Sequence, residues 1–135
     1  MQDIETVSES FIAFLENEGI GTFNTNLFLN QVPDDAPDNC WYIITAGGSP
    51  IQKLATGEKV KQYVISVYCR STTGINVERD LFDLEETLNC ANCIILEGFE
   101  IIEIEATQFP SDEDLDNEER RIGFLQVNVR LYKTC

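Results

Sequence analysis

The chain contains no histidine. That removes the most frequent general base, the Ser-His-Asp and Cys-His nucleophile systems, and the most frequent transition-metal ligand. Cations are scarce as well. Nine Lys and Arg stand against 24 Asp and Glu, a formal net charge of −15. A duplex-binding surface needs a broad basic patch, and an anionic membrane leaflet repels an acidic chain, so neither partner is expected. No run approaches the roughly 18 consecutive apolar residues of a membrane span. The first residues, MQDIETVSES, lack the basic start and apolar stretch of a secretory leader, so folding in the cytosol is the default expectation.

What remains fits one domain, residues 1–135, with 43% hydrophobic residues. A chain of this length buries roughly two-thirds of its unfolded surface, enough for one real core. The five cysteines are Cys40, Cys69, Cys90, Cys93 and Cys135. An odd count without a secretion signal argues against a disulfide framework. The acidity suits a soluble chain with a basic or polar protein partner, or a surface past which DNA slides without sticking.

Periodicity gives the elements. Ile4, Val7, Phe11, Phe14 and Leu15 recur at helical steps, and Gly19 and Gly21 stop the pattern. Residues 25–29 read as a short strand, and 31–40 as a loop rich in Pro and Asp. Residues 40–46 are apolar on both faces and read as a central strand, emptying into a Gly47-Gly48-Ser49-Pro50 turn and a polar loop to Gly57. Residues 59–70 form a long strand with Tyr63, Ile65, Val67 and Cys69 on one face. A helix over residues 76–89 carries the stripe Val77, Leu81, Leu84 and Leu88. A short strand is expected at 93–96, broken at Gly98. Another follows at 99–109, with Ile102, Ile104 and Ala106 sharing a face. A charged loop spans 110–121, and a final strand spans 122–133. Two helices on a mostly antiparallel sheet make an α+β domain.

No segment carries recognisable catalytic chemistry. The strand-to-glycine junction at 41–50 invites comparison with a phosphate cradle. It lacks both the G-x-x-x-x-G-K-[ST] and the G-x-G-x-x-G spacing, so a tight turn is the reading. Cys90-Ala91-Asn92-Cys93 has zinc-like spacing but no second ligand pair. It follows a helix C-terminus, where the dipole disfavours a thiolate. Residues 112–118 place acids like the start of a calcium loop. However, Asn117 stands where glycine is needed, and Gly123 where a bidentate Glu is needed. No carboxylate pair stands out. The strand aromatics, among them Trp41, Tyr42, Tyr63, Tyr68, Phe99, Phe124 and Tyr132, read as packing groups. A stacking platform for single-stranded nucleic acid would need cations beside them. No cofactor or metal is expected.

The order of these elements is itself informative. The stretch NLFLNQVPDDAPDNCWYIITAGGSP resembles the N-terminal part of the tail terminator proteins of long-tailed bacteriophages. The strand KQYVISVYCRS, the helix LFDLEETLN and the end QFPSDEDLDNEERRIGFLQVNVRLY continue the likeness over nearly the whole chain. The five cysteines and the acidic 111–119 segment depart from it. The resemblance implies a structural, non-enzymatic virion protein. It would form a ring, typically a hexamer, on the last ring of the tail tube and stop tube growth. It would also offer a face to the head connector, with DNA passing through the lumen. Its place would be the head–tail junction, after assembly in the host cytoplasm. The expected interface residues are Gly47, Gly48, Ser49 and Pro50, with Asp112, Glu113, Asp114 and Asp116 facing a partner or the lumen. The long connections at 49–59 and 111–121 motivate that choice. A different class remains as the alternative: an acidic binding module or inhibitor that mimics DNA and docks a basic protein.

Overall fold

A computed structural model describes residues 6–53, 59–72, 74–89, 96, 98–108, 114–115 and 121–133. Helix α1 (Val7–Asn17) begins at Thr6, whose hydroxyl accepts from the Glu9 amide while the Glu9 carboxylate accepts from the Thr6 amide. This reciprocal box satisfies two of the otherwise orphaned donors of a helix start. The helix ends where Gly19 takes φ 77°, letting the Gly19 amide donate to Glu16 and the Ile20 amide to Leu15. Only a residue without Cβ adopts that left-handed turn at little cost. Val7, Phe11, Phe14 and Leu15 are buried as their spacing implies, and Ile12 joins them. Ile4 lies outside the described residues.

Among the described residues, six strands form one sheet. They are β1 (Leu27–Leu29), β2 (Cys40–Lys53), β3 (Lys59–Ser71), β4 (Phe99–Gln108), β5 (Asp114–Leu115) and β6 (Arg121–Lys133). The order across the sheet is β1-β2-β3-β6-β4, with β5 pairing the start of β6. All pairings are antiparallel except β1 with β2, which run parallel. Helix α2 (Gly74–Leu88) packs on β3, β6 and β4. The α+β architecture expected from the sequence is therefore present.

Both helices cover the same face, here called inner. It carries Trp41 and Ile43 from β2, Ile65, Val67 and Cys69 from β3, and Leu125, Val127, Val129 and Leu131 from β6. Against it lie Val77, Leu81, Leu84 and Leu88 of α2 and the apolar stripe of α1. Burying one such leucine stabilises by roughly 1.5–3 kcal/mol, so this single core carries most of the folding drive. The Ser8 hydroxyl of α1 donates to the Thr45 hydroxyl of β2 at 2.8 Å, fixing the helix over that strand.

Three expectations need correction. First, Gly47-Gly48-Ser49-Pro50 is not a turn: β2 runs through it as far as Lys53. The register passes from Gly47↔Tyr63 to Ser49↔Gln62, then from Pro50↔Lys61 to Gln52↔Val60, leaving Gly48 and Ile51 as extra residues. Each is a β-bulge, the device by which a strand absorbs an extra residue while keeping its partner. Proline is tolerated at bulges and on strand edges. Of the expected loop at 49–59, residues 49–53 belong to β2, and residues 54–58 lie outside the described residues. Second, Ile102 does not share a face with Ile104 and Ala106. The register passes from Ile101↔Leu131 to Glu103↔Arg130, so Ile102 is bulged and half exposed, while Ile101 joins Ile104 on the core. Third, the segment expected to be only a charged loop contains β5, which pairs Asp114 with Ile122 and Leu115 with Arg121. The expected strand at 93–96 lies outside the described residues except for Leu96, which is buried without regular structure.

Candidate interaction surfaces

β1 covers β2 only from Trp41 to Ile43. Among the described residues, β2 has no strand partner on that side over residues 44–53. This open edge holds Gly47, Gly48, Ser49 and Pro50. The two bulges and the proline disrupt its hydrogen-bonding row, which blunts indiscriminate pairing with other chains. The opposite edge, β4, is guarded differently. The Asn89 side chain, just past α2, accepts from the Ala106 amide at 2.8 Å and donates to the Ala106 carbonyl at 3.0 Å. A side-chain amide thus stands where the next strand would pair.

The outer face carries a ladder of rings across three strands. Tyr42 and Tyr68 stack with centroids 4.7 Å apart and planes 5° from parallel, and Tyr68 and Phe124 stack at 5.5 Å. These cross-strand contacts each contribute roughly 0.5–1.5 kcal/mol beyond area burial. The rings remain half-buried because neither helix lies on this face. One end of the face is closed by the loop before β2. There the buried Arg70 guanidinium donates to the Pro37 carbonyl at 2.8 Å and to that of Asp38 at 3.4 Å. The Thr72 amide donates to the Asn39 side chain on the same loop.

Near that end, Cys69 is buried beside Asp80 in a recess of about 140 Å³. Burial, then the charges of Asp80 and Cys40, push its thiol up to about 12. A thiol held protonated in this way is a poor nucleophile and a poor metal ligand at neutral pH. Asp80, on the exposed side of α2, is raised too, first by partial desolvation at the recess and then by Asp83, with Arg79 opposing. Cys90 and Cys93 lie outside the described residues. So do Asp112, Glu113 and Asp116. Asp114 is placed by its backbone in β5, against the start of β6.

A cleft that the sequence reading missed opens at the other end of β6. The inner face extends past the helices here, and a cavity of about 460 Å³ lies against the first turn of α1. Lys59, Lys61 and Lys133 line it, over apolar walls from Val7, Phe99 and Leu131. Lys59 and Lys61 alternate with Tyr63 on one face of β3, and the register sets Lys133 opposite Phe99. It also sets Lys53 opposite Lys59. The signal was in the sequence only as a concentration of scarce cations in residues 53–61.

With these surfaces placed, comparison with known families becomes informative. Residues 14–133 match the family described as bacteriophage tail terminator protein. The chain belongs to that family. The matched region runs from within α1 to the last residue of β6, so every strand and all of α2 lie inside it. No curated protein shows a significant match to the chain. Membership makes this a structural protein of the phage tail, and hence of the virion, in a family that is not one of enzymes. No helix among the described residues is long and apolar enough to cross a membrane. For a tail terminator, the surfaces that matter are those that meet other tail or head proteins. The open β2 edge, the half-covered aromatic face and the lysine cleft are the candidates.

Proposed function

We propose that the chain caps the head-proximal end of the tail tube as a homo-oligomeric ring, a hexamer. The ring ends tube polymerisation and presents a face to the head-completion or connector protein. DNA passes through its lumen without specific binding. The observation that carries this reading is the family match over residues 14–133. The physical character of the chain supports it. A net charge of −15 disfavours adhesion of DNA to the surface as a whole. A sheet with helices on one face only leaves the other face and an edge for neighbouring subunits. In this reading Gly47, Gly48, Ser49 and Pro50, on the open β2 edge, meet a neighbouring subunit. Asp112, Glu113, Asp114 and Asp116 face a partner or the lumen.

The test is tube assembly. Tail tube protein polymerised with increasing amounts of the chain gives shorter tubes, each ending in one ring. Tubes of unchanged length with no chain attached would rule the reading out, and capture of a basic host protein instead would favour the DNA-mimic alternative.

A further inference from the structure

The lysine cleft gathers three of the chain's nine cations in one place. Lys59, Lys61 and Lys133 are exposed around one cavity. Their backbones pair in the sheet, and among the described residues no side-chain ion pair or hydrogen bond holds the three ammonium groups. Like charges gathered this way repel, and the repulsion is relieved when an anionic group enters. Of the apolar lining, Phe99 is the part that stays partly exposed, Val7 and Leu131 being buried behind it, and Tyr63 and Tyr132 add ring surface. The cleft therefore fits a segment with several carboxylates around an apolar side chain.

The chain carries such a segment. Residues 111–119 read SDEDLDNEE, with Leu115 as the one apolar residue among acids. It cannot serve its own cleft. The β5 backbone holds Leu115 opposite Arg121, at the start of β6, whereas the cleft lies at Leu131 and Lys133. A strand rises about 3.3 Å per residue, so the two are roughly 35 Å apart. The two described residues of the acidic segment, Asp114 and Leu115, and the basic cleft lie at opposite ends of β6. Such a disposition satisfies itself head to tail between copies, and a head-to-tail contact that closes makes a ring.

We infer that the cleft lined by Lys59, Lys61 and Lys133 receives the acidic 111–119 segment of a second copy of this chain, with Leu115 as the apolar anchor. The inference rests on the ring reading above and gives it a specific contact. It adds a function for the acidic segment, which docks a neighbour and does not line the lumen.

Two charge-reversed chains test it: Lys59→Glu/Lys61→Glu/Lys133→Glu, and Asp112→Lys/Glu113→Lys/Asp114→Lys/Asp116→Lys. Circular dichroism and thermal melting check that both remain folded. Assembly is read by native mass spectrometry in solution and by electron microscopy on purified tail tubes. Each variant alone loses the ring that the unmodified chain forms. A 1:1 mixture regains it, because acidic segment and basic cleft then alternate between the two kinds of subunit. Raised salt weakens the unmodified ring, as expected for exposed charge pairs. If both variants form rings as the unmodified chain does, the contact is wrong and the ring reading stands. Rings that form normally but fail to sit on tubes when the lysines are reversed would assign the cleft to the tube protein and overturn the proposal. An unmodified chain that stays monomeric both in solution and on tubes overturns both readings.

Discussion

Replacing Asn89 by Ala probes how the β4 edge is finished. The Asn89 side chain makes both of the hydrogen bonds that a further strand would make to Ala106. Ala106 is only 4% exposed, so its amide and carbonyl are poorly placed to take water instead. Each bond contributes roughly 0.5–1.5 kcal/mol net, so their joint loss costs about 2 kcal/mol. In a domain of this size that lowers Tm by roughly 6–10 °C. Calorimetry measures the stability, and amide hydrogen exchange locates its origin. The Ala106 amide points away from β6, since it donates to Asn89. The strand alternation turns the Glu105 and Thr107 amides toward β6. In Asn89→Ala, Ala106 exchanges fast while Glu105 and Thr107 stay protected. Asn89→Asp loses at least as much stability, because a carboxylate cannot donate to the Ala106 carbonyl. A loss under about 0.5 kcal/mol with unchanged exchange at Ala106 would refute the reasoning.

Other expectations follow from the same structure. Leu81 is fully buried at the meeting of α2 with the sheet, so Leu81→Ala costs about 2–5 kcal/mol, read from the denaturant midpoint. Asp80, although on the exposed side of α2, has a pKa raised in the folded chain by partial desolvation and by Asp83. The folded state then binds its proton more tightly than the unfolded one. This stabilisation is present at acid pH and lost as pH rises through the raised value. Asp80→Asn therefore raises Tm at pH 7 and leaves it unchanged near pH ~3, below the ordinary carboxylate range. Cys69, with its thiol pushed up to about 12, resists alkylation in the native chain at pH values near neutrality and reacts only after unfolding. Rapid native labelling at Cys69 would contradict its placement.

What the sequence disclosed and what it hid divide along a physical line. Elements fixed by local periodicity were legible: the Leu81–Leu84–Leu88 stripe gave α2, and the alternation about Val67 and Val127 gave β3 and β6. Bulges were not, because an extra residue such as Gly48 or Ile102 leaves the same local composition as a turn or a regular strand. The register with the partner strand is what reveals it. The Asn89–Ala106 closure joins positions that no local pattern connects. The lysine cleft is assembled from α1, β3, β4 and β6, so only the fold brings its residues together. The family resemblance survived these errors because it rested on the order of elements, which the bulges do not change.

Imaging the neck of the assembled virion by cryo-electron microscopy tests the central claim most directly. The account predicts one closed ring of this chain seated on the last ring of the tail tube, between tube and head connector. A tube end occupied by another protein, with this chain elsewhere or absent from the particle, would contradict it.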